Sequence, residues 1–345
     1  MPIGIESTRY LCSVGLGSSM AWYAGVDLGA TNVRAVVGDR HGTVHGVEKR
    51  PTPRGDSGIE VTEAVLGAIR DACADAGVDP IEIDAAGVGS IGPLDKRDGV
   101  VRDPANLPDS IDVIPLTGPI ENLIGGPVSL HNDANAGVIG ERFYAEHNPD
   151  NMIYLTISSG IGAGVIVDGC VLSGWDGNAG EVGHMTVDPE REMRCGCGKR
   201  GHWEAYCSGS NIPEYAERLH GGEETVLPLG SDEFDARDVF GLAGEDTFAD
   251  QVLERVGTWN AQGVATLVHA YAPMIIYIGG AVALNNPGLI VDRLRDRLPS
   301  LVMTNVPDVQ LTTLGDDVVV KGALASAITD GSGAKAGGPR PAETE

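Results

Sequence analysis

One supersecondary unit occurs twice in this chain, and such a duplication leaves few folds open. Residues 22–49 read as strand (WYAGVD), glycine-rich turn (LGATN), strand (VRAVVGD), tight turn and strand (TVHGVEK). The order returns from Tyr154: YLTIS, the turn SGIGAG, VIVD, a turn at Gly169 and a short strand at 170–172. Runs rich in β-branched residues and bounded by Gly, Asn and Asp form hairpins. A repeated unit of this kind points to two related lobes facing each other.

Helical segments separate and follow the two units. Residues 57–76 carry Ile59, Val65, Leu66, Ile69 and Cys73 near one face and stop at Gly77. Residues 83–89 and 128–130 read as strands, the second feeding a helix through HNDANAG. Residues 221–233 read as an exposed polar insertion, 234–271 as two helices, and MIIYIGG at 274–280 as a buried strand of parallel type. A helix at 289–298, a strand at 309–313 and a helix at 317–328 complete an α/β pattern.

Both repeated turns are rich in glycine. Where no Cβ intrudes, backbone N–H groups can converge on an anionic oxygen and cradle a phosphate. Gly29, Thr31 and Asn32 belong to the first turn, and Ser158, Ser159 and Gly160 to the second. Asp27, at the end of its strand, is placed to hold Mg²⁺ through water, because that ion keeps much of its hydration.

A third stretch, residues 180–204, gathers Glu181, His184, Cys195, Cys197, His202 and Glu204 into a segment with little regular periodicity. Zinc takes thiolate and imidazole in a tetrahedral shell and can fold such a loop. His184, Cys195, Cys197 and His202 would close that shell, with Cys207 as the other candidate for the fourth position. The competing reading is two buried free cysteines beside surface histidines.

The chain has 345 residues, long enough for two domains, and 49 acidic against 24 basic residues, a net charge of −25. That charge repels phosphate backbones and argues against nucleic-acid binding. Only five of the basic residues are lysine. An acidic, lysine-poor surface suits concentrated salt, where screening relieves self-repulsion, so a halophilic, archaeal source is expected. No apolar run approaches a membrane span. Six cysteines without regular pairing point to a reducing cytoplasm. Residues 1–19 lack the basic start and apolar run of a signal and are expected to be a disordered leader or the result of a start codon assigned too early, and residues 329–345 a disordered tail.

The boxes Glu181-Val-Gly-His184 and CGCGKRGHWE at 195–204 resemble the ExGH and CxCGxxGCxE signature of the ROK family (repressor, open reading frame, kinase), with His202 where the family has its third cysteine. DLGATN and the second glycine turn are similar to the two phosphate motifs of the sugar kinase, heat-shock and actin superfamily. The resemblance implies a two-lobed, actin-like (ribonuclease H-like) ATPase fold with a central cleft and a zinc-stapled loop. Residues 20–128 would form a small lobe, with helix 315–328 packing back on it, and residues 129–314 a large one.

The resemblance also assigns roles. HNDANAG matches the family's NDANA box and implies that Asp133 is the catalytic base. On local evidence alone Asp133 would be read as a helix N-cap, and the resemblance reverses that reading. Sugar contacts are implied for Gly92 in GSIGPLD, Asn106 in DPANLPD, Asn132, Asp133, Glu181, His184 and Glu204. Adenosine contacts are implied for Gly279 and Gly280.

The implied activity is an ATP-dependent hexose kinase, foremost a glucokinase forming glucose 6-phosphate, as a homodimer or homotetramer. A kinase for mannose, fructose or an N-acylhexosamine is the alternative within the class. A sugar-responsive repressor or a silent sugar sensor is the alternative outside it. Nineteen residues before the first strand are too few for a helix-turn-helix, and the charge opposes DNA.

Overall fold

A computed structural model describes residues 21–104, 106–146, 148–175 and 177–335. The expected leader and residues 336–345 lie outside the described residues. The first repeat builds β1 (Trp22–Leu28), β2 (Asn32–Asp39) and β3 (Val44–Pro51), each antiparallel to the next. Helix α1 (Gly58–Ala76) starts where the Ser57 side chain accepts the Ile59 N–H and ends at Gly77, whose φ of 70° is left-handed. Strand β4 (Ile83–Ser90) lies parallel to β1. Beyond it the chain makes a small sheet of β5 (Leu94–Asp95), β6 (Val100–Arg102) and β7 (Val113–Pro115), followed by α2 (Thr117–Ile124). Strand β8 (Val128–Asn132), parallel to β4, completes a five-stranded sheet of order β3-β2-β1-β4-β8.

Helix α3 (Asp133–Tyr144) leads into the second half. Here β9 (Met152–Ile157), β10 (Ile161–Val167) and β11 (Cys170–Val171) form the repeated hairpins. Helices α4 (Glu204–Cys207), α5 (Ile212–Leu219), α6 (Ala236–Gly241) and α7 (Thr247–Tyr271) follow, then β12 (Ile275–Gly279), parallel to β9. After α8 (Ala281–Asn285) and α9 (Arg293–Leu301), β13 (Asp308–Leu311) closes a second sheet of order β11-β10-β9-β12-β13. The two orders are one arrangement used twice: paired hairpins, then two parallel strands beside the first. The duplication therefore extends to a fourth and fifth strand that the sequence repeat does not display.

Helix α10 (Val318–Thr329) packs on β1 and β4 and against α3, which in turn packs on β9 and β10. The α3–α10 pair thus lies between the sheets and joins them. Their close approach needs glycine: a Cβ on Gly322 would collide with the Ala136 carbonyl, and one on Gly87 with that of Ala323.

Each sheet has its own core, around Val26, Val65 and Ile69 in the first and Leu155, Tyr206 and Val264 in the second. The 180–204 loop is less dependent on an outside tie than its sequence suggests. Met193, Cys195 and Trp203 join the second core, and the Trp203 indole N–H donates to Asn260 Oδ1 at 2.8 Å.

The chain is also not structureless from Thr329. Arg142 donates to the Ser332 carbonyl at 2.8 Å and Lys335 Nζ to that of Ala145 at 2.7 Å, so satisfied polar groups hold residues 329–335. Among the described residues the five cysteines are free, and no helix is long and apolar enough to cross a membrane.

Candidate active site

Three parallel strands of the first sheet end level with one another. Leu28 of β1 pairs with Ser90 of β4, and Ser90 with Asn132 of β8. This row puts Asp27, the glycine turn at 29–31, exposed Gly92 and Asp133 at one edge, the carboxyl edge where open α/β sheets bind ligands.

The helix cap is Asn132, whose side chain accepts the Asn135 N–H at 2.7 Å. Asp133 is the first helical residue and accepts the Ala134 N–H at 2.7 Å. The capping role that local evidence favours for Asp133 thus belongs to its neighbour. Solvent reaches Asp133 although protein crowds around it, as at the floor of a cleft. Crowding raises its carboxyl above the ordinary range, the Ala134 N–H opposes the rise, and the charge of Glu181 adds to it. The positive end of the helix dipole, which favours the ionised carboxylate at a helix N-terminus, is outweighed. Asp27 is pushed up to about 7, chiefly by burial; Arg34 opposes the rise, while Asp133 and Asp317 add to it.

Across from this edge, Glu181 Oε2 lies 3.5 Å from His184 Nδ1 and raises the imidazole above its usual range. Ligand atoms of His184, Cys195, Cys197 and His202 all fall within 4.8 Å of one another, with Cys197 Sγ 3.3 Å from His202 Nδ1. Cys207 is buried elsewhere, its thiol 3.5 Å from the Val256 carbonyl, so the cluster takes His202 as its fourth member. Glu204 Oε2 accepts the Ile161 N–H at 2.9 Å, and Oε1 lies 3.6 Å from Cys195 Sγ.

Each glycine turn is closed by a backbone bond of its own. The Gly29 N–H donates to the Asn32 carbonyl at 3.0 Å and the Ser158 N–H to that of Gly160 at 2.9 Å. The N–H groups of Ala30, Thr31, Ser159 and Gly160 find no protein acceptor among the described residues. Asn32 itself is the first residue of β2, paired with Pro51.

Beside Ser158 and Ser159 opens a cavity of about 650 Å³, walled by Arg237, Phe240, Val282 and Asn285. The sequence reading did not single out these four residues. The one local signal was DARD at 235–238, a capping box that starts α6 and brings Phe240 to the wall. Gly279 and Gly280 do not line this cavity; a Cβ on either would strike β9, and they allow the following residues, Ala281 and Val282, to reach it. Asn106 is exposed in the turn before β7, and among the described residues no hydrogen bond ties it to the carboxylates.

Known proteins resemble this chain in sequence and in fold. The ROK family model matches residues 23–330. A glucokinase of Pyrobaculum calidifontis is 38% identical over 309 residues, 89% of this chain and 95% of its own length. The crystal structure of a ROK hexokinase from Thermus thermophilus superposes with a TM-score of 0.78 at 33% identity, covering 90% of this chain and 98% of that one. A ROK family glucokinase from Streptomyces griseus, crystallised with glucose and AMPPNP, gives 0.70 at 29% identity, covering 89% and 99%. With a family model spanning nearly the whole described chain and relatives matched along almost their full length, this protein belongs to the ROK family.

Proposed function

We propose that the protein is an ATP-dependent glucokinase that transfers the γ-phosphoryl group of ATP to the 6-hydroxyl of glucose, with Asp133 as general base. The observation that carries the reading is the placement of Asp133 at the level strand ends, within electrostatic reach of both Asp27 and Glu181. Relatives of high coverage that are glucokinases support the same substrate.

The nucleotide would lie with its phosphates on the two glycine turns and its base in the cavity beside Phe240. Phosphoryl transfer asks mainly for positioning and charge compensation. Asp133 would accept the proton of the attacking hydroxyl, while Gly92, Asn106, Asn132, Glu181, His184 and Glu204 fix the sugar ring. Closure of the two lobes would exclude water from the transfer.

The acidic group at Asp27 suits Mg²⁺, since Asp133 and Asp317 already raise its carboxyl and a divalent cation would neutralise that excess. The donor set of two thiols and two imidazoles suits zinc. Bonds of about 2.3 Å to sulfur and about 2.0 Å to nitrogen need ligand atoms about 3.3–3.8 Å apart, a modest contraction of the cluster. Held by His184, Cys195, Cys197 and His202, zinc would have no open position and would be structural. Cytoplasmic location, work in concentrated salt and a dimer or tetramer belong to the same proposal, supported by composition and resemblance.

The test is ADP release measured against a panel of hexoses in high salt. Stimulation by glucose above mannose, fructose and N-acetylhexosamines is expected; no stimulation by any sugar would overturn the reading.

A further inference from the structure

Behind the strand that delivers Asp133 lies a second cavity, of about 540 Å³, walled by Lys96, Thr117, Ser129, His131, Ser173 and Ser332. It forms where β8 and β11, edge strands of the two sheets, come together, so both halves of the chain contribute to its walls. It shares no residue with the proposed nucleotide, sugar or zinc positions.

The wall includes a buried histidine. His131 is 9% exposed, its Nε2 meets Ser326 Oγ at 2.7 Å, and its Nδ1 has no hydrogen-bond partner. The ring is neutral at ordinary pH, because burial, then the charge of Lys96, pushes it down to about 4.

The cavity also holds the Lys96 ammonium. Lys96 Nζ donates to Ser173 Oγ at 3.3 Å, and among the described residues no carboxylate pairs with it. In a chain with twice as many acidic as basic residues, that is conspicuous. Asp330, the cavity's carboxylate, is exposed.

The walls are held in place without a ligand. Arg142, 3% exposed, donates Nη1 to the Gly169 and Ser332 carbonyls, each at 2.8 Å, and pairs with Asp150. A fixed cavity offering an ammonium and several hydroxyls suits a polyanionic oxygen group.

We propose that this cavity is a second ligand site, which binds the phosphoryl group of a small molecule on Lys96 Nζ and the Ser173 hydroxyl. Because its walls come from both halves, a ligand there biases how the halves sit, to the extent that it prefers one arrangement. The site does not depend on the kinase reading.

The experiment is isothermal titration calorimetry on the full chain at constant ionic strength. Inorganic phosphate and ribose 5-phosphate, a sugar ester that is not the product of the proposed reaction, are titrated into wild type, Lys96→Met, Lys96→Arg and Glu204→Ala. Saturable binding at one site per chain is expected, weakened about tenfold or more in Lys96→Met, as loss of a charged hydrogen bond implies. Lys96→Arg and Glu204→Ala should stay within about threefold of wild type, the first showing that the fold survives change at this position and the second that the ligand is outside the candidate active site. Tighter binding of the sugar ester would assign a sugar phosphate, and equal binding free phosphate; both support the site. Absence of saturable binding in wild type, an undiminished affinity in Lys96→Met, or loss in Glu204→Ala instead would overturn it.

Discussion

Glu204 Oε2 accepts the backbone N–H of Ile161 at 2.9 Å, and this bond joins the Cys/His loop to the second glycine turn. Its other oxygen lies against Cys195, so one carboxylate braces the end of the proposed zinc site and the turn proposed to carry phosphate. Glu204→Ala should weaken affinity for a non-hydrolysable ATP analogue by about tenfold, the worth of a charge-assisted hydrogen bond. Glu204→Gln keeps an acceptor for Ile161 and should lose only about threefold. Calorimetric titration distinguishes the two; equal losses would mean that the bond to Ile161 does not hold the turn.

The pH dependence of turnover follows from Asp133. A base must be deprotonated, and crowding together with Glu181 raises its carboxyl, so activity should fall as pH drops through that raised value. Glu181→Gln removes the neighbouring charge, lets Asp133 release its proton more readily and should move the acidic limb of kcat to lower pH. An unmoved limb would detach Glu181 from Asp133.

Glu141 gives a prediction about stability alone. It is 1% exposed, accepts the Thr312 hydroxyl, and is pushed up from 4.5 to about 7 by burial. A carboxyl whose folded value is raised favours the folded state below the unfolded value and loses that contribution as pH rises through the folded one. Glu141→Gln keeps an acceptor and avoids burying charge. It should stabilise the protein by on the order of 3 kcal/mol at pH 8 and by little at pH 4. Denaturant unfolding at both pH values measures the difference; equal effects would contradict it.

How much of this was legible depended on distance along the chain. The hairpins, the α1 caps and the parallel strand β12 follow from local pattern, and the HNDANAG and CGCG boxes carry the candidate site in a few contiguous residues. The small sheet was not legible, because strands of two or three residues have no period to read. Phe240 and Arg237 follow a polar insertion and reach the cavity only through the placement of α6. Glu141 and Thr312 are 171 residues apart, and nothing local marks them as partners.

The Cys/His cluster predicts metal content. Elemental analysis should find one zinc per chain, lost in His202→Ala. A strong chelator should lower the melting temperature by on the order of 10 °C, while the Trp203 anchor in the core keeps the second half folded. Full stability in the metal-free protein would show that the loop needs no metal.

The most direct measurement is glucose binding and ATP-dependent turnover compared in wild type and Asp133→Asn. The account predicts turnover lower by roughly 10²–10⁴, the worth of a general base, with glucose affinity within about threefold. Turnover in Asp133→Asn close to that of wild type would contradict the assignment of Asp133 as the base.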